Sequence, residues 1–205
     1  MLSYFWLSGA NNKQIEMYTG HCKSTVTHHK RFLIQLVSDS LDFIDLQIGG
    51  ENVIVEIDET KMGKNKHRRG HSVNWAWVLG GVERTEEHRV FLVEVPDRTE
   101  ATLLGIIRTY VLPLSIIMTD CFRSYHNFNE FYTHLTVNHS NTFKDPETGA
   151  HTNCIEGTWN TIKYQIPPRN RTNSLDDDGH VVENVLNDHL GEFEWRRKHS
   201  SDLWT

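Results

Sequence analysis

Cysteine is scarce in this chain of 205 residues: Cys22, Cys121 and Cys154 are far apart, odd in number and form no CxxC pair. That pattern excludes a disulfide framework and a zinc ribbon. No apolar run approaches the roughly 18 residues of a membrane-spanning helix. The first residues, Met1 to Leu7, are apolar but lack a basic flank and a small-residue cleavage site, so they do not read as a signal peptide. These absences predict a soluble intracellular protein with no membrane partner, nuclear in a eukaryotic host and cytoplasmic otherwise. An excess of positive charge is also missing. The formal net charge is −6, which by itself speaks mildly against phosphate binding.

The distribution of charge says more than its sum. Between Lys61 and His71 stand three Lys, two Arg and two His with no acid, and Arg196, Arg197 and Lys198 form a second basic cluster. The acids gather elsewhere, from Asp39 to Glu59 and in the run Asp176, Asp177, Asp178. Segregation of this kind allows a local DNA-binding face on an acidic protein. With 38% hydrophobic residues the chain is long enough for one sizeable core and a small appended module.

Residues 1–48 read as helical. Asn11 and Asn12 can cap a short helix around Gln14 to Tyr18, Gly20 breaks it, and Ser24 can cap a longer helix through Val26, Phe32, Leu33, Leu36 and Val37. Two readings fit this outline: a DNA-binding helix-turn-helix, or a plain helical cap on the fold. Gly49 and Gly50 mark a boundary, and residues 51–200 form a second domain. Val53 to Thr60, Val73 to Val82 and Val90 to Val95 read as three strands of an antiparallel meander. Thr99 caps a helix through Leu103, Ile106, Ile107 and Tyr110, which Pro113 stops. Ser115 to Thr119 is a short buried strand, and Tyr125, Phe128 and Phe131 suit a helix. Leu135 to His139 is a last strand, followed by a helix from about Thr152 that ends before Pro167 and Pro168. The order strand, strand, strand, helix, strand, helix, strand, helix predicts an α/β, ribonuclease H-like mixed sheet with flanking helices.

Three carboxylates are placed for chemistry in that fold. Asp58 lies on the first strand in VEIDET, Asp120 directly follows SIIMT, and Glu156 lies in the helix that begins HTNCIEGTW. The first and fourth strands are neighbours, so both Asp meet at one sheet end, and the last helix brings Glu156 over them. On that helix Asn153, Glu156, Asn160 and Lys163 share one stripe, while Ile155, Trp159, Ile162 and Ile166 share the next. The apolar stripe can pack on the sheet while the polar one faces the site. Converging carboxylates are what two hard divalent cations require, and such a pair supports phosphodiester cleavage. Ordinary capping or surface acids are the alternative.

The segments VEIDETKMGKNKHRRGH, WVLGGVER, MTDCFRSY, HTNCIEGTWNTIK and EFEWRRKH resemble the DDE transposases of the Merlin superfamily and the ISXO-type insertion-sequence transposase domain. The resemblance covers roughly residues 50 to 200. It implies a catalytic and metal-binding triad of Asp58, Asp120 and Glu156, with the family's spacing near 36 (156 − 120 = 36) and its basic residue seven places on, Lys163. It further implies Mg²⁺ or Mn²⁺ as two ions, double-stranded DNA as partner at the element's ends and at the target, and action as a homodimer or higher oligomer. The expected function is DNA cleavage followed by strand transfer. The alternative is a domesticated or decayed transposase-derived DNA-binding protein without catalysis. Lys61, Lys64, Lys66, Arg68, Arg69 and Lys163 are the expected phosphate contacts. The same run can also be a solvated hairpin, and Lys163 can instead pair with Glu156. Asn153 also lies near the third metal position. Cys121 lacks a clear His partner and reads as structural, as do Trp75, Trp77, Trp159 and Trp195.

Overall fold

The computed structural model describes residues 1–63, 76–120, 123–125, 132–137, 151–176 and 180–200. Three helices come first: α1 (Leu2–Leu7), α2 (Asn12–Thr19) and α3 (Lys23–Asp39). The side chain of Asn11 accepts from the Gln14 N–H while Gln14 reaches back to the Asn11 N–H, a reciprocal cap that satisfies two orphan donors. Gly20 ends α2 in the left-handed conformation that a residue without Cβ adopts freely. The N-cap of α3 is Cys22, two residues before the expected Ser24.

The centre is a five-stranded mixed sheet in the order β4-β3-β2-β6-β7. Its members are β2 (Ile54–Met62), β3 (Ala76–Glu83), β4 (Val90–Val95), β6 (Ile116–Asp120) and β7 (Thr133–Val137). β2, β3 and β4 run antiparallel as a meander, while β6 lies parallel to β2 and β7 parallel to β6. The neighbour relation of the first and fourth strands, and with it the ribonuclease H-like α/β class, is the arrangement expected from element order. A two-residue strand, β1 (Ile48–Gly49), pairs parallel with β5 (Val111–Leu112), so the anticipated glycine boundary is part of a small second sheet. Strand β7 starts two residues earlier than expected. Of the helix expected over Tyr125 to Phe131, a 3₁₀ turn at Arg123–Tyr125 is described and the rest lies outside the described residues.

Strand alternation sorts the core into two layers. On one face Val55, Ile57, Leu79, Phe91 and Ile117 pack with Leu103 and Ile107 of α4 (Glu100–Tyr110), the helix capped by Thr99. On the other, Met62, Val78, Val82 and Leu92 pack against α5 (Asn153–Gln165) and α6 (Val185–Lys198). A small hairpin, β8 (Ser174–Leu175) and β9 (Val181–Glu183), stands between these two helices in sequence. Helix α6 was not read from the sequence. It ties the N-terminal helices to the sheet: Trp195 packs on their core, and Arg196 donates to the carbonyls of Trp6 and Leu7 with its guanidinium 4.4 Å from the Trp6 ring centroid. Gly191 makes this approach possible, since a Cβ there would lie 2.2 Å from Ser38 Oγ and 3.1 Å from its Cα on α3.

Candidate active site

Helix α5 is fixed to β2 by three polar rungs. The side chains of Glu56, Asp58 and Thr60 alternate onto the α5 face of the strand. Glu56 Oε2 accepts the backbone N–H of Cys154 at 2.8 Å and of Ile155 at 3.0 Å. Asp58 Oδ2 accepts Trp159 Nε1–H at 3.0 Å, and Lys163 Nζ donates to Thr60 Oγ1 at 2.6 Å. The repeats match: two residues of strand advance about 6.7 Å and four of helix about 6 Å, so partners at 155, 159 and 163 meet rungs at 56, 58 and 60. Between the rungs Ile155, Trp159, Ile162 and Ile166 are buried, the apolar stripe expected of this helix. The Trp159 indole fits because its neighbour on β3 is Gly80, where a Cβ would lie 2.5 Å from the ring. Gly80 is the register partner of Asp58, so the glycine, the indole and the carboxylate form one packed unit.

The parallel register of β2 and β6 pairs Glu56 with Met118; carried two residues on, it sets Asp58 beside Asp120. Asp120 ends β6 half-buried, and Glu156 stands exposed in the first turn of α5, where the Thr152 hydroxyl donates to its Oε1 at 3.0 Å. The Asp58 carboxyl is pushed up to about 6, first by burial and then by the charge of Asp120, with Glu156 adding to it; N–H donors from the Glu59 backbone and Trp159 pull the other way. Three segments thus bring three carboxylates into one electrostatic field. Lys163 is held below its usual range by burial and by Arg171, while Asp58 works in the opposite direction. Arg171 itself donates to the Lys163 and Ile166 carbonyls and so closes the C-terminal end of α5.

Oxygen-only donors gathered around the raised Asp58 carboxyl suit a hard divalent cation, because a positive charge there relieves the repulsion that Asp120 and Glu156 exert on it. Among the described residues no group of three His, Cys, Asp or Glu side chains is arranged to hold a metal ion. Asn153 is exposed at the first position of α5. Of the expected phosphate contacts, Lys61 is exposed on β2 with its amine 5.7 Å from the Trp77 ring centroid. Lys64, Lys66, Arg68 and Arg69 lie outside the described residues, as does Cys121.

Four neighbours escaped the sequence reading: Glu56, Arg84, Thr60 and Glu59. Period-two alternation from Asp58 would have flagged Glu56 and Thr60 as sharing its face. Glu59 points to the opposite layer, toward Tyr125; burial pushes its carboxyl up to about 7, and the charges of Asp58 and Asp120 add to the shift.

A mixed sheet with an Asp midway along β2, a second Asp at the end of the adjacent parallel strand β6 and a Glu on the covering helix is an arrangement of the ribonuclease H-like class. The sequence pattern of the ISXO2-like transposase domain matches residues 47–197, and the chain belongs to that family. It is also 36% identical, over 114 residues, to an uncharacterized transposase-like protein of Haemophilus influenzae, a match covering 55% of this chain and 83% of that protein. No helix among the described residues is long and apolar enough to cross a membrane.

Proposed function

We propose that the chain is a metal-dependent DNA transposase in which Asp58, Asp120 and Glu156 hold two divalent cations, Mg²⁺ or Mn²⁺. The observation that carries this reading is the shared field of those three carboxylates, contributed by β2, β6 and α5, in a member of a transposase family. When bound, such a pair of cations supplies an activated water and neutralises the leaving oxygen of a phosphodiester. The protein's part is placement. Asp58 is oriented by the Trp159 indole, Asp120 is carried by the parallel register of β6, and Glu156 rides on a helix pinned at both ends. Lys163, one turn beyond the Asp58 rung, supplies a cation at the edge of the site for a phosphate beside the scissile bond.

Double-stranded DNA is the substrate in this reading, at the element's ends and at the target, bound by a homodimer or higher oligomer. Lys61 and the basic residues Lys64, Lys66, Arg68 and Arg69 extend the phosphate track from the site. Helices α2 and α3 form a second contact of the helix-turn-helix kind, through the exposed Lys23, Ser24, Thr25 and His28 at the start of α3. The test is a cleavage assay on DNA carrying the element's own ends, with Mg²⁺ and with Ca²⁺, for the parent and for Asp120→Asn. Cleavage by the parent in Mg²⁺ and none by the variant, with DNA binding retained by both, is the expected result. A parent that binds these ends without cutting them would favour a DNA-binding protein that has kept the fold and lost turnover.

A further inference from the structure

Glu56 is a carboxylate with no exposure to solvent, two residues before Asp58 on the same face of β2. Burying a charge is expensive unless partners surround it. Its partners all belong to one junction. Oε2 takes the N–H groups of Cys154 and Ile155, the second and third residues of α5, which no intrahelical carbonyl can satisfy. Oε1 lies 2.5 Å from Arg84 Nε. Arg84 Nη2 then donates to the His151 carbonyl at 2.7 Å and meets His151 Nδ1 at 2.9 Å. The Arg84 backbone is itself fixed, its N–H donating to the Ile54 carbonyl at 2.8 Å.

The grip therefore spans His151 to Ile155 and ends one residue before Glu156. The cap that helices usually draw from their own N-cap side chain is absent: the Thr152 hydroxyl donates to Glu156 and makes no capping bond to the backbone. A strand residue has taken over that task. Because the carboxylate and the helix amides meet at fixed hydrogen-bond geometry, and a negative group favours a helix N-terminus, the contact sets both the axial position and the rotation of the first turn.

We propose that Glu56, held by Arg84, is a positioning residue for the metal centre: it sets Glu156 opposite Asp58 by gripping the start of α5 from the strand that carries Asp58. The inference rests on the three-carboxylate reading above.

Calorimetric titration of Mn²⁺ into the DNA-free protein tests it, with thermal melting of each variant alongside. The parent is expected to bind Mn²⁺ and Asp58→Asn to lose it. Glu56→Gln keeps the side-chain shape and one acceptor but loses the charge and the second acceptor; it is expected to bind Mn²⁺ about tenfold to a hundredfold more weakly. In the same variant the Cys154 and Ile155 amides should exchange with solvent faster than in the parent. Leu190→Ala, a core deletion on α6 away from this junction, serves as the control for stability: it should melt lower and keep the parent's affinity. If Glu56→Gln does not fold, Arg84→Lys, which keeps the charge but loses the fork to His151, should weaken Mn²⁺ binding by about tenfold. Parental affinity in Glu56→Gln, or an equal loss in Leu190→Ala, overturns the positioning role and leaves the triad standing. A parent that binds no Mn²⁺, or an Asp58→Asn that binds it as well as the parent, overturns the triad and the positioning role together.

Discussion

Helices α5 and α6 cover the same face of the same sheet, yet they are held in different ways. Helix α6 buries Leu186, Leu190 and Phe193 in the shared apolar core and makes one polar rung, Glu194 accepting the Leu92 N–H at 2.6 Å on the edge strand. Helix α5 buries an apolar stripe of its own but adds three rungs, at Glu56, Asp58 and Thr60. Apolar packing is non-directional and tolerates small slides, whereas hydrogen bonds to fixed rungs do not. The difference teaches where positional accuracy is concentrated. The helix that presents Glu156 is registered on the strand that presents Asp58. The helix that only covers the sheet and anchors α1 to α3 is not.

The contrast can be broken most severely at Trp159, which belongs to both the apolar stripe and the rungs. Trp159→Ala is expected to cost about 3–5 kcal/mol, measured by chemical denaturation. Trp159→Phe keeps most of the volume but removes the donor to Asp58, and should cost about 1–2 kcal/mol. Next comes Gly80→Ala, which pushes a methyl into the indole and should cost about 1–3 kcal/mol. A fully stable Gly80→Ala would mean that the indole is not seated where the rung requires it.

The carboxylates sharpen the contrast from the other side. Asp58 holds its proton up to about 6 in the fold against an ordinary 3.8, so the folded state binds the proton more tightly than the unfolded chain. Without metal, the Asp58 contribution therefore favours the fold below about pH 4 and is lost as pH rises toward about 6. Asp58→Asn removes that dependence. In chelator at about pH 8 it should be more stable than the parent by on the order of 2 kcal/mol, with the gap closing near pH 4. Glu194, raised to about 8 by burial, gives the same sign over a wider window, and Glu194→Gln should flatten it likewise. The smallest effect belongs to the exposed pair Arg31–Glu183, 2.8 Å apart between α3 and β9: Arg31→Ala should change stability by less than about 0.5 kcal/mol.

Much of the frame was legible in the sequence because the signals were local. The β-branched runs fixed the meander, Thr99 announced α4, and the 3.6-residue period of Ile155, Trp159, Ile162 and Ile166 fixed which side of α5 meets the sheet. Helix α6 was hidden because its apolar series Leu186, Leu190 and Phe193 is followed directly by the buried Glu194, which reads as a surface acid until the edge strand it serves is known. For the same reason Glu56 passed unnoticed. Its partners, the amides of Cys154 and Ile155 and the side chain of Arg84, lie 98, 99 and 28 residues away, and a backbone N–H leaves no trace in a side-chain pattern. Asp58, Asp120 and Glu156 follow from element order and family resemblance, whereas the effect of Asp120 and Glu156 on the Asp58 carboxyl is visible only in the folded chain.

The most direct test of the three-carboxylate site is the anomalous scattering of manganese in crystals of the protein grown with Mn²⁺. Manganese bound between the carboxylates of Asp58, Asp120 and Glu156, at the oxygen distances of a hard divalent cation, is the expected result. Manganese held elsewhere, or none there at saturating concentration, would contradict the site and the function built on it.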